Sequence, residues 1–71
     1  MKGIINRALG TEQKLELIYI NNDNQISHRI IKVLAVTDHI VKAYCYTKRQ
    51  FRSFKLENIL SVRILGQKRG A

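Results

Sequence analysis

Residues 40–56 read IVKAYCYTKRQFRSFKL, Ile40 to Leu56, and the way this stretch alternates decides the fold. Val41, Ala43 and Cys45 are small or branched apolar residues two apart, so they share one face of a strand, while Lys42, Tyr44 and Tyr46 share the other. The same period returns after the basic loop Thr47-Lys48-Arg49-Gln50: Phe54 and Leu56 belong to the apolar face, with Arg52 on that side near the strand start, where its guanidinium reaches the barrel mouth. The stretch therefore predicts two antiparallel strands, Ile40–Tyr46 and Phe51–Leu56, joined by a short cationic loop.

The period-two pattern continues on both sides. Glu57 and Asn58 make a turn before a last strand, Ile59–Leu65. Upstream, Lys14–Asn21 reads as a strand rich in Leu, Ile and Tyr, ended by Asn22-Asp23-Asn24, residue types that accept left-handed conformations and bond to their own backbone. Ile26–Val36 is a longer strand whose apolar run, Ile30, Ile31, Val33, Leu34, Ala35 and Val36, predicts a bend with cover on both sides for part of its length. Thr37-Asp38-His39 closes the turn to the next strand. Ile4, Ile5, Ala8 and Leu9 instead recur at helical spacing, with Gly10 in a C-cap position, so a short amphipathic helix opens the chain. Five short strands in about fifty residues predict a mostly β fold, a small five-stranded Sm-like or SH3-like antiparallel barrel that removes most exposed edges by curling on itself. The expected domain spans residues 1–65, and residues 66–71, GQKRGA, form a flexible basic tail.

A chain of 71 residues holds one domain and leaves little room for a large catalytic cleft. Its 45% hydrophobic content suffices to fold without metals or disulfides. Cys45 is the only cysteine, so no internal disulfide can form, and a small buried hydrophobe is its expected role. His28, His39 and Cys45 lack paired metal-ligand spacing, and the glycines, Gly3, Gly10, Gly66 and Gly70, lie outside the predicted strands, so neither a metal site nor a phosphate loop is expected. Ser27 and His28 are neighbours that point to opposite faces of a strand, and nothing at Asp38-His39 positions a nucleophile on a strained turn, so neither pair reads as part of a catalytic triad. No catalytic residue and no cofactor is expected, and the protein is read as a non-enzyme. No run approaches the length of a membrane helix, and Lys2, Asn6 and Arg7 interrupt any secretion signal, so the expected location is the cytoplasm, with no membrane partner.

Thirteen Lys and Arg against five Asp and Glu give a net charge of +8, a field that favours polyanions. Residues 40–56 interleave five cations with four aromatic rings and contain no carboxylate. Cations attract phosphates and ring faces stack on unpaired bases, which is the chemistry of a single-strand binding surface. The candidate contacts are Arg29, Lys42, Lys48, Arg49 and Arg52 for phosphates and Tyr44 and Tyr46 for bases, and the expected partner is single-stranded DNA or RNA. The alternative is an interaction module that dimerises, or docks on an acidic regulator protein, through the N-terminal helix or a barrel edge.

On these residues the chain resembles the WYL domain of bacterial regulators. The segment HIVKAYCYTKRQFRSFKLENI, residues 39–59, aligns without gaps with the family pattern. His39, Ile40 and Val41 fall on the Trp-Tyr-Leu triplet, and Ala43, Tyr44 and Cys45 on the next block. Phe51, Arg52 and Phe54 fall on Phe-Arg-x-Phe, and Leu56, Glu57, Asn58 and Ile59 on the closing Leu-Asp-Arg-Ile. Leu17, Tyr19, Arg29 and Ile31 are similar to the family's first two strands. His39 and Ile40 depart from the large aromatics of the triplet, and Asn58 from a basic residue. The resemblance implies an Sm-like or SH3-like barrel that senses nucleic-acid ligands such as single-stranded DNA, mediates dimerisation and assists transcription regulation. WYL domains usually follow a helix-turn-helix domain; with about thirteen residues before the first strand, the expectation here is a stand-alone sensor or accessory domain.

Overall fold

The computed structural model describes residues 2–65, and within them the alternation from Lys14 onward becomes one five-stranded antiparallel sheet. Helix α1 (Lys2–Ala8) precedes β1 (Lys14–Ile20), β2 (Ile26–Val36), β3 (Ile40–Cys45), β4 (Gln50–Lys55), a 3-10 helix (Leu56–Asn58) and β5 (Ile59–Leu65). The tail expected to be flexible lies outside the described residues. The turn expected at Glu57 and Asn58 is the 3-10 helix, and β3 ends one residue before Tyr46, whose N–H still donates to the Ile30 carbonyl at 2.8 Å.

In space the strands run β4-β3-β2-β1-β5. The sheet curls into the expected barrel-like shape without closing, and edges remain at β4 and β5: β4 pairs with β3, β5 with β1, and no ladder joins β4 to β5 among the described residues. Side chains span part of that gap. The Tyr19 ring of β1 meets the Phe54 ring of β4 edge-on at 5.0 Å, and its hydroxyl accepts the Lys55 N–H at 3.2 Å.

Local chemistry fixes the turns. The Asn21 side-chain oxygen accepts the N–H groups of Asp23 and Gln25, each at 2.9 Å, while Asn24 takes a left-handed φ of 62°, so the β1–β2 hairpin uses its asparagines as expected. The Thr37 hydroxyl does the same for the next hairpin, accepting the Ile40 N–H at 3.0 Å. At the end of α1, Gly10 sits at φ 77°, a conformation that a residue with a Cβ adopts only with strain.

The concave face carries the core. Leu15 and Leu17 of β1, Ile31 and Val33 of β2, Val41, Ala43 and Cys45 of β3, Phe54 of β4 and Ile59 of β5 are buried there, and Ile5 and Ala8 of α1 pack against them. Leu56, expected on the apolar face, and Tyr19 are half-buried at its margin. The bend expected in β2 is a bulge between Val33 and Ala35; Leu34 lies within it and is 43% exposed, so the cover expected on both sides is incomplete there.

Candidate nucleic-acid interface

Strand pairing sets one row of residues across the convex face. Phe51 of β4 lies opposite Tyr44 of β3, Tyr44 opposite Lys32 of β2, and Lys32 opposite Lys14 of β1. Two aromatics are thus followed by two cations at the spacing of neighbouring strands, about 5 Å. Tyr44 is the centre of an aromatic cluster: its ring meets Phe51 edge-on at 5.2 Å on one side and Tyr46 at 5.1 Å on the other. Such contacts match ring edge to ring face and fix all three rings relative to the sheet. The Lys14 ammonium stands 4.6 Å from the Tyr46 ring centre, a cation–π contact that leaves its charge at the surface.

Exposure separates the roles of these rings. Tyr44 and Tyr46 are half-buried, whereas Phe51 is 75% exposed on an edge strand. Phe51 therefore offers the open ring face, and Tyr44 supports it from the side. Lys42, one step along β3, is exposed opposite Ser53. Lys48 and Arg49 are exposed in the β3–β4 turn, which the Thr47 hydroxyl ties to β2 by accepting the Ile30 N–H at 3.0 Å.

Carboxylates neutralise only part of this face. Lys32 pairs with Glu12 at 3.4 Å, an exposed contact of small energetic weight. Further from the aromatics, Glu16 holds both His28 and Arg63. The His28 hydrogen bond, followed by that from Arg63, keeps the Glu16 carboxyl below its ordinary range.

Arg29 and Arg52 lie elsewhere. They line a cleft of about 210 Å³ at the end of the core face, together with Tyr19, Asn21, Phe54 and Lys55. Arg29 donates from Nε to the Ser27 hydroxyl at 3.2 Å and lies 3.9 Å from the Cys45 sulfur. Neither arginine is ion-paired with a carboxylate among the described residues. The seven residues singled out in the sequence thus fall into two groups: Lys42, Tyr44 and Tyr46 on the convex face with Lys48 and Arg49 at its corner, and Arg29 with Arg52 on the opposite side of the sheet. Sequence reasoning missed Phe51, Lys14 and Lys32 as members of the convex row. The signal for Phe51 was present: a four-residue turn between Cys45 and Gln50 sets Phe51 opposite Tyr44.

No family model matches the sequence, and no curated protein matches it. Among solved structures, the chain is similar to proteasome accessory factor B/C (PafBC) of Arthrobacter aurescens, with a TM-score of 0.78 and 22% identity. The likeness covers 93% of this chain and 11% of that one, so the chain corresponds to a small part of its structural neighbour. At this identity the likeness shows the fold alone, in agreement with the small β-barrel-like domain expected from the sequence.

Proposed function

We propose that this chain is a WYL-like regulatory module that binds single-stranded nucleic acid on the convex face of its sheet, as an accessory to transcription regulation. The observation that carries the reading is the cross-strand row Phe51-Tyr44-Lys32-Lys14, in which an open ring face continues into two cations. An unpaired base stacks on Phe51, and the phosphates of its strand meet Lys32 and Lys14 along the row, with Lys42 to one side of it and the cationic turn at Lys48 and Arg49 to the other. Duplex DNA presents no free base face to such a platform, so single strands are preferred. Arg29 and Arg52, ion-paired with no carboxylate among the described residues, extend the positive field around the β4 edge and supply a second phosphate contact for a strand long enough to turn that edge.

Fluorescence anisotropy with short labelled single-stranded and duplex oligonucleotides at two salt concentrations tests the reading. Tighter binding of the single strand, weakened by Phe51→Ala at both salt concentrations, is the expected result. Equal affinity for single strands and duplex, with no effect of Phe51→Ala, reduces the interaction to unspecific attraction by net charge.

A further inference from the structure

The sheet leaves β4 as an edge, and the phase of its hydrogen bonding is fixed by the Leu56 N–H, which donates to the His39 carbonyl at 2.9 Å. Backbone groups of successive strand residues point to opposite sides, so Phe54, Arg52 and Gln50 bond toward β3, and Lys55, Ser53 and Phe51 point away from it. The Lys55 N–H is taken by the Tyr19 hydroxyl. Phe51 and Ser53 remain, each with an N–H and a carbonyl directed at the open edge. Beside them lies a groove of about 340 Å³ lined by Leu34, Ala35, Lys42, Phe51 and Ser53, with Ala43 and Arg52 also reaching it.

We infer that the β4 edge accepts an extended strand of an acidic protein partner, which pairs with the backbone of Phe51 and Ser53 and sets a carboxylate against Arg52. Charge selects this occupant. Lys48, Arg49, Arg52 and Lys55 surround the edge, and neither β4 nor the turn before it contains a carboxylate. A second copy of the chain is disfavoured, because the antiparallel pairing that matches Phe51 with Ser53 places Arg52 opposite its own copy, and like charges directly opposite destabilise a ladder. An acidic strand turns the same cations into attraction. Alternation then sets the pattern: residues opposite Phe51 and Ser53 lie on the groove side and are apolar, while the one opposite Arg52 lies on the other face and is acidic. This inference stands apart from nucleic-acid binding, since it rests on backbone groups that a base or phosphate does not require.

The test is a titration of the protein with an octapeptide of alternating glutamate and valine, followed by amide exchange in NMR spectra. Binding that slows exchange of the Phe51 and Ser53 amides is expected, with little binding of an alternating lysine–valine octapeptide. Ser53→Pro removes an N–H that β3 does not use; it is expected to weaken peptide binding about tenfold while oligonucleotide affinity holds. Arg52→Glu, on an exposed residue, is expected to transfer preference to the lysine–valine peptide. Absence of binding, binding that leaves the two amides exchanging as before, or equal binding of both peptides by the wild type and Arg52→Glu overturns the inference.

Discussion

The rings of Tyr44 and Phe51 face each other across β3 and β4 with their centres 5.2 Å apart and their planes at 74°. The two residues are directly opposed in a pair that does not exchange backbone hydrogen bonds, the arrangement that brings side chains of neighbouring strands closest. Tyr46 repeats the geometry on the far side of Tyr44, at 79°. The exposed Phe51 ring is therefore held in one orientation on an edge strand, where an isolated aromatic would rotate. A platform for a base requires that fixed orientation, and the half-buried Tyr44 supplies it.

Truncating the two rings has different consequences. Phe51→Ala removes a ring that is 75% exposed, so thermal stability changes by less than about 1 kcal/mol while single-strand affinity falls by roughly 1–3 kcal/mol. Tyr44→Ala deletes the half-buried support and lowers the melting temperature as well. Melting curves recorded beside anisotropy titrations check the distinction; equal loss of stability in both variants would show that Phe51 is structural.

Under the proposed function the cations of the row contribute through charge alone. Lys14→Ala with Lys32→Ala is expected to weaken binding similarly for all base sequences and to flatten the slope of log affinity against log salt by about 0.7 for each lost phosphate contact. Phe51→Ala leaves that slope unchanged. An affinity series over several salt concentrations reads both slopes, and a slope untouched by the double substitution would place the phosphates elsewhere.

The strands were legible because Val41, Ala43 and Cys45 alternate with Lys42, Tyr44 and Tyr46, and a one-residue error would have turned every one of them inside out. The same alternation set Arg52 beside Phe54, on the side away from Tyr44, so the separation of Arg52 from the aromatic face was also within reach. The bulge at Leu34 was visible only as an unbroken apolar run. Period alone does not say which member of such a run is turned out. The open edge at β4 was hidden for a further reason: whether a five-stranded sheet closes depends on strand tilt and shear, quantities that residue types along one chain do not encode. Lys14 and Lys32 joined the site through pairing between β1, β2 and β3, a relationship between segments that each look ordinary alone.

Stability depends on pH through Glu16. Its carboxyl is held below the ordinary value of 4.5, first by the His28 hydrogen bond and then by that of Arg63. A depressed pKa in the folded state adds stability that is fully present above the ordinary value and is lost as pH falls through the lowered one. Wild type is therefore expected to melt above Glu16→Gln near about pH 6, with the gap closing as the solution is acidified below about pH 4. Melting temperatures of the two proteins over that range decide it, and a constant gap would remove the role of Glu16.

Helix α1 is joined to the core through Ile5, which is fully buried against the sheet. A helix of seven residues does not hold its shape alone in water, so its order comes from this contact. Ile5→Ala is expected to cost about 2–5 kcal/mol in denaturant unfolding, as for other large-to-small changes in a packed core. Removal of residues 1–9 is expected to expose apolar surface and raise the mass seen by light scattering. If Ile5→Ala unfolds at the wild-type denaturant concentration, the helix contributes no packing.

Arg49 is a position at which stability and the proposed binding can be read together. It sits in the β3–β4 turn at φ 56°, a left-handed conformation that costs a residue with a Cβ about 1–2 kcal/mol. Glycine occupies that region without strain, although it also adds freedom to the unfolded chain, so Arg49→Gly is expected to raise stability by about 1 kcal/mol or less. The same change deletes a cation at the corner of the convex face, and the salt slope of single-strand binding is expected to fall by about 0.7. A substitution that stabilises the fold and weakens the interaction together identifies a residue kept for contact with a ligand, since asparagine or glycine serves the turn at least as well. Unfolding curves and the salt series on the one variant read both effects. Greater stability with an unchanged slope would assign Arg49 no part in binding and leave Lys48 to carry the turn's contact alone.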